Sequence, residues 1–230
     1  MSSNPNIGKI AALIGHPSRV EMLLSLSGGK SLPASELARS ARISPQTASS
    51  HLSKMVEGGL LIHESYGRHK YFRLASAEVG HALEALLTIA QPKTICSLRE
   101  SNQLIALRHA RTCYDHLAGE IGVALTDRLL ELQFIEESGK DFMLTEEGKQ
   151  RLIDFGVEVE ECLKSRRYLA RQCLDWSERR HHLAGSLGAA LTKRLFNLEW
   201  IERLPDDRAV RVTEIGIKGL FDEFGLQIKE

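Results

Sequence analysis

No run in this chain approaches the roughly eighteen consecutive apolar residues that a membrane-spanning helix needs, and the opening stretch MSSNPNIGKI lacks the apolar core and flanks of a secretion signal. Both absences predict a cytoplasmic location with no membrane partner. Only four cysteines occur in 230 residues, none in a Cys-x-x-Cys pair, so a disulfide framework is excluded and reduced thiols are expected. G-x-G-x-x-G, the P-loop and H-E-x-x-H are all missing, which removes the usual marks of dinucleotide, triphosphate and zincin sites. No oxyanion hole or orienting partner is evident for any Cys–His pair, and the chain is not expected to be an enzyme.

Net charge is also absent, since 30 basic residues balance 30 acidic ones. The balance is uneven along the chain. Through Ala75 nine Lys and Arg stand against four acids, a surplus of five, so the remainder carries minus five. That asymmetry points to a polyanion at the front end only. With 43% hydrophobic and 26% charged residues, the chain suits one large globular domain or two to three small ones.

From Ile7 to Ala90 the pattern reads helix, helix, helix, hairpin, helix. Ile10, Leu13 and Ile14 begin an apolar stripe that breaks at His16-Pro17 and resumes through Val20, Leu23, Leu24 and Leu26 until Gly28-Gly29. ASELARSA follows, with Leu37 and Ala38 inward. Ser44-Pro45 then supplies an N-cap with proline at the first helical position. In the helix so opened, Ala48, Leu52, Met55 and Val56 recur at threes and fours. Gln46, Thr47, Ser49, Ser50, His51 and Lys54 take the rest of the circumference. A merely solvated helix would favour Glu and Lys there. Short polar residues instead let the backbone approach a groove, where Gln and Lys reach base edges or phosphates. Gly58-Gly59 ends the helix. LLIHES and YGRHKYFRLA then predict a hairpin joined at Gly67-Arg68, with Arg68, His69 and Lys70 at its tip and Tyr71 and Leu74 among the candidates for its inner face.

The segments ALIGHPSRVEMLLSL, ASELARSARISPQTASSHLSKMVEGGLL and GRHKYFRLA together resemble the ArsR/SmtB family of dimeric winged-helix transcriptional repressors. The resemblance covers roughly the first ninety residues. It implies a homodimer formed by residues 7–26 and 78–90, and an inverted-repeat operator in double-stranded DNA read by residues 46–54, with Ser44 capping them. The family's metal-sensing members carry cysteines where this chain has LPASELA, or an Asp/His set where it has AEVGHALEALLTIA. The first stretch has no cysteine and the second keeps only His81, so the family's usual metal sites are expected to be missing.

The rest of the chain repeats itself. Ala110-Arg111, Cys113, Asp115, His116-Leu117-Ala118-Gly119, Gly122, Ala124-Leu125-Thr126, Arg128-Leu129 and Thr145-Glu146 are answered, in order, by Ala170-Arg171, Cys173, Asp175, His182-Leu183-Ala184-Gly185, Gly188, Ala190-Leu191-Thr192, Arg194-Leu195 and Thr213-Glu214. The second copy inserts WSERRH, expected to close a helix or cap a pocket, and lengthens a later turn with LPDDRA. Each copy reads as a helix bearing Cys and His, a second helix, two short strands and a closing helix with Thr145 or Thr213 as N-cap. The expected whole is α+β, mainly α with small β-hairpins. A winged helix-turn-helix occupies residues 1–91, and two degenerate winged-helix-like units, about 104–160 and 164–228, occupy 92–230.

Three readings of Cys113, Asp115, His116, Cys173, Asp175 and His182 stay open. They are buried structural groups, with each aspartate bonded to backbone or to Arg111. They are a soft-metal or haem-type set shared by the two copies. Or they form a thiol switch, with Cys96 or Cys162 as further partners and Arg111 or Arg171 lowering a thiol pKa. The cofactor is undetermined, a metal ion or a small-molecule effector. Two functions follow: a repressor released by something sensed in residues 92–230, or an interaction module using its winged helix as a dimer platform.

Overall fold

The computed structural model describes residues 6–67, 69–91, 94–205 and 208–228, and the chain divides into two compact units, Met1–Leu83 and Glu84–Glu230. In the first, α1 (Ile7–Ile14) and α2 (Pro17–Leu26) are separated at His16 because Pro17 cannot continue α1. A two-residue strand β1 (Leu32–Pro33) leads to α3 (Ala34–Ser40). The next helix, α4 (Pro45–Glu57), starts at Ser44, whose hydroxyl accepts from Thr47 N at 3.2 Å. Strands β2 (Leu61–Tyr66) and β3 (His69–Leu74) form the wing, with β1 on its far edge in the order β1-β3-β2. Helix α5 (Ala77–Ile89) carries the division between the units.

The wing's inner side differs from expectation. Phe72 and Leu74 are buried and Tyr71 is not, because side chains two apart, not three, share a strand face. Tyr71 instead packs edge-on against Tyr66 at 5.9 Å.

In the second unit α6 (Leu98–His109) precedes two copies of one motif. The first runs β4 (Arg111–Cys113), β5 (His116–Ala118), α7 (Gly119–Glu131), β6 (Ile135–Ser138), β7 (Asp141–Leu144) and α8 (Glu146–Asp154). After α9 (Val159–Lys164), the second runs β8 (Arg171–Leu174), β9 (His181–Ala184), α10 (Gly185–Asn197), β10 (Ile201–Arg203), β11 (Val210–Val212) and α11 (Glu214–Phe224). Helix, hairpin and closing helix follow the expected winged-helix order. The Cys-and-His segment, expected as a helix, is a β-hairpin in both copies. WSERRH accordingly contributes to a hairpin turn and a strand start, not to a helix end. Thr145 and Thr213 cap α8 and α11 as anticipated, accepting from Gly148 N and Gly216 N.

The copies interlock reciprocally. Strand β7 pairs with β8 through Asp141 and Arg171, and Ala209 of the second copy bridges to Arg111 of the first. Leu117 N donates to Thr192 Oγ1 and Leu183 N to Thr126 Oγ1, each at 2.9 Å. Arg128 Nε donates to Phe224 O and Arg194 Nε to Phe155 O, each at 2.8 Å. Within each copy, Gly122 and Gly188 let the helix pack tightly on the strand before it, since a Cβ there would lie 2.6 Å from Leu117 O and 2.3 Å from Leu183 O. A single apolar core results. It joins Leu125, Leu129 and Phe155 to Leu191, Leu195 and Phe224, each buried side chain contributing roughly 1.5–3 kcal/mol.

Candidate functional site

Two surfaces carry chemistry, one in each unit. On α4 the buried Ala48, Leu52 and Met55 anchor one side. Ser44, Gln46, Thr47, Ser49, Ser50 and Lys54 are all exposed on the other. His51 is half-buried with its ring centroid 4.4 Å from that of His16. Burial, and then the charges of His16, Arg19 and Lys54, keep its pKa below the usual histidine value. His69 and Lys70 are exposed at the wing's end, where Tyr66 pairs with His69 and Ser65 with Lys70; Arg68 lies outside the described residues. An open cleft of about 550 Å³ separates α4 from the wing, with Ser49, His69 and Lys70 among its lining.

In the second unit four donor groups from the two copies meet in the interior. Strand pairing sets Cys113 directly opposite His116 and Cys173 opposite His182, so each hairpin presents a thiol and an imidazole on one face. The four ligand atoms lie within 4.8 Å of one another, and all four residues are buried. The sulfurs are 4.0 Å apart and the two Nε2 atoms 3.2 Å apart. The first hairpin turns on Tyr114 and Asp115, with Tyr114 at φ 58°. The second takes the longer turn 175–180 without losing the Cys–His register.

The aspartates stand behind the histidines, outside the four-atom centre. His116 Nδ1 lies 3.5 Å from Asp115 Oδ1, and His182 Nδ1 lies 3.4 Å from Asp175 Oδ2. Asp115 is gripped by Arg167 at 2.5 and 3.2 Å, not by Arg111. Arg111 instead meets Asp175 at 2.8 Å, both side chains being fully buried, and its guanidinium lies 4.6 Å from the centroid of the Trp176 ring. Asp175 also accepts from Gly119 N, Ser177 N, Ser177 Oγ and Glu178 N. Burial opposes its charge, but His182 and Arg111 outweigh it and hold the carboxyl well below the usual range. Burial likewise opposes charge on His182, and Asp175 and Cys113 beside it raise its pKa to about 9. The Cys113 thiol is pushed far up by its hydrogen bond with Cys173 and by burial.

Sequence reasoning had no hold on two further contacts. Thr112 N donates to Arg208 O at 2.9 Å, next to Cys113 on β4. The Arg208 side chain pairs with Glu84 on α5, both nearly fully buried.

A family model described as a helix-turn-helix domain matches residues 14–64. The HTH-type transcriptional regulator YdfF of Bacillus subtilis (strain 168) is 47% identical over 213 residues, covering 93% of this chain and 94% of its own. Among solved structures, the transcriptional repressor BigR from Xylella fastidiosa is 23% identical, covers 38% of this chain and 88% of its own, and has a TM-score of 0.35. NolR from Sinorhizobium fredii is likewise 23% identical, covering 39% of this chain and 96% of its own at a TM-score of 0.34. Among the described residues no helix is long and apolar enough to cross a membrane. Given a near-full-length relative at such identity, the chain belongs to the HTH-type transcriptional regulators, its N-terminal unit a winged helix and its second unit an internal duplication.

Proposed function

We propose that this regulator is a homodimeric repressor that reads an inverted-repeat operator with α4 and the wing, and is released by an effector taken in the duplicated unit. The observation that carries the DNA reading is the outer face of α4, whose exposed residues Gln46, Thr47, Ser49, Ser50 and Lys54, capped by Ser44, are short, polar or cationic until the acidic Glu57 at the helix's last position. Helix α1 supports a dimer, since it is apolar yet has no buried residue and leaves Ile7 80% exposed. One winged helix covers only a half-site, so a two-fold dimer predicts two half-sites in inverted orientation. The Cys–His centre, together with the Arg208–Glu84 pair that ends on α5, supports the second unit as the place where the effector acts.

Selection of random duplexes with the full chain, followed by footprinting, tests the reading. An inverted repeat is expected. Gln46→Ala should cost about 1–3 kcal/mol at particular base pairs. Lys54→Ala and Arg68→Ala/Lys70→Ala should weaken all sequences alike and flatten the salt dependence. Failure to enrich any sequence, or sedimentation as a monomer with and without DNA, would sink it.

A further inference from the structure

We propose that Cys113, His116, Cys173 and His182 form a closed tetrahedral site for a thiophilic divalent cation of the zinc class, each copy of the repeat contributing one thiolate and one imidazole. The proposal deepens the effector reading above and rests on it for any consequence at DNA, while the site itself stands on its geometry.

Tetrahedral zinc has Zn–S bonds of about 2.3 Å and Zn–N bonds of about 2.0–2.1 Å. At tetrahedral angles these place two sulfurs about 3.8 Å apart and two nitrogens about 3.3 Å apart. The separations here are 4.0 Å and 3.2 Å. With all four atoms inside 4.8 Å, closing on an ion requires the remaining sulfur–nitrogen edges to contract to about 3.6 Å, by no more than about 1.2 Å. No carboxylate oxygen belongs to the set, which disfavours calcium and magnesium. Soft and borderline donors in a two-plus-two arrangement match zinc, and four protein ligands leave no open position.

Two features make a chance meeting of core side chains a poor account. Each histidine turns Nδ1 toward an aspartate and Nε2 inward, the orientation that metal-bound histidines take from their outer carboxylates. Those carboxylates are themselves held, Asp115 by Arg167 and Asp175 by Arg111 and four further donors. With each Nδ1 directed at a carboxylate, the two Nε2 atoms meet across 3.2 Å in the buried interior. A cation between them and the sulfurs satisfies all four atoms at once. The pseudo-twofold relation also explains why the Cys–His register survives the longer second turn: both hairpins must present the same two donors to one point.

The reduced full-length chain, stripped with a chelator, is titrated with zinc chloride alone and desalted, and bound zinc is counted by mass spectrometry. Cobalt(II) chloride serves as an optical probe. The expected result is one ion per chain, with the intense visible bands of tetrahedral cobalt and thiolate charge transfer, abolished by zinc. Cys113→Ser and Cys173→Ser should lose the ion on desalting, and Asp175→Asn should bind it 10–100-fold more weakly. Cys162→Ala, which removes a buried thiol elsewhere, should retain it. Because a ligand variant can fail to fold, His116→Cys supplies a second reading: it keeps four soft donors and should still bind cobalt, with stronger charge transfer. A folded, reduced wild-type chain that retains no zinc, gives a weak octahedral cobalt spectrum, takes copper(I) but not zinc, or holds zinc equally without Cys113 and Cys173 overturns the site. Operator affinity with and without zinc chloride is read separately. Stoichiometric zinc with unchanged operator affinity supports the site and retires the effector reading.

Discussion

The first copy of the repeat closes its Cys–His hairpin over Tyr114 and Asp115, whereas the second spends residues 175–180 on the same task, and in both the cysteine stands opposite the histidine. The extra residues change what lies behind the centre. Trp176 covers Arg111, and Asp175 is wholly buried against that guanidinium. Its counterpart Asp115 stays 28% exposed beside the 37% exposed Arg167. The later hairpins differ in the same sense. Lys140 is exposed after Gly139, while the longer turn of the second copy carries its equivalent, Arg208, into the Glu84 carboxylate on α5. The inward-facing donors thus match in the two copies while the outward connections differ, Asp175 and Arg208 of the second copy being buried where Asp115 and Lys140 of the first are more exposed.

That asymmetry can be broken at Arg111. Arg111→Ala strands a buried Asp175 charge and should cost about 3–5 kcal/mol, whereas Arg167→Ala, at a partly exposed pair, should cost about 0–1 kcal/mol. Urea unfolding of both variants decides. Equal losses would mean that the two aspartates are held alike.

The acid limb of the stability curve gives the next contrast. Burial disfavours the Glu84 carboxylate, but Arg208 and Arg111 outweigh it and hold its pKa below the ordinary value. A carboxyl whose folded pKa is depressed contributes fully above its unfolded value, about 4.3, and loses that contribution as pH falls through the folded value. The urea midpoint should therefore fall less steeply below about pH 4.5 in Glu84→Gln than in the wild type. Lys140→Ala should leave the slope unaltered. Parallel curves for Glu84→Gln and wild type would show that this carboxylate is not held ionised by folding.

Where the copies face each other they should instead respond alike. Thr126→Val leaves Leu183 N without its acceptor, and Thr192→Val does the same to Leu117 N. A buried amide without a partner costs about 1–3 kcal/mol, so both losses should fall in that range and match within error. A clear inequality would mean that the reciprocal hydrogen bonds are not equivalent.

How far this was legible in the sequence depends on which residues carried the message. The limits of α4 were written in Ser44-Pro45 and Gly58-Gly59, and the starts of α8 and α11 in Thr145 and Thr213, since caps and breakers act within a few residues. The hairpin around Cys113 was misread because its strands are three residues each, too short for alternation to show, and a Cys–His spacing of three suits a helix face. A signal was present: the spacing is three in the first copy and nine in the second. A helix cannot absorb that change and keep both residues on one face, whereas a hairpin lengthens its turn at little cost. The reciprocal Arg128 and Arg194 contacts end on backbone carbonyls, and a carbonyl acceptor leaves no mark on residue type.

The smallest expected effect sharpens the likeness of the copies. Gln133 and Glu199, each just past the C-cap of α7 or α10, have φ of 57° and 56°. A side chain in that left-handed region costs roughly 1 kcal/mol relative to glycine, the usual occupant of this position. The conformation persists because it aims each residue's carbonyl at the threonine that caps the following helix: Thr145 Oγ1 donates to Gln133 O and Thr213 Oγ1 to Glu199 O, both at 2.7 Å. Those bonds use backbone acceptors and survive a change of side chain. Gln133→Gly and Glu199→Gly should therefore each stabilise the chain by about 0.5 kcal/mol, the relief of strain being partly offset by the greater freedom of glycine when unfolded. Paired thermal melts measure it. If both variants lose stability, the left-handed turn is not strained here; if only one gains, the two copies do not share this corner of their architecture.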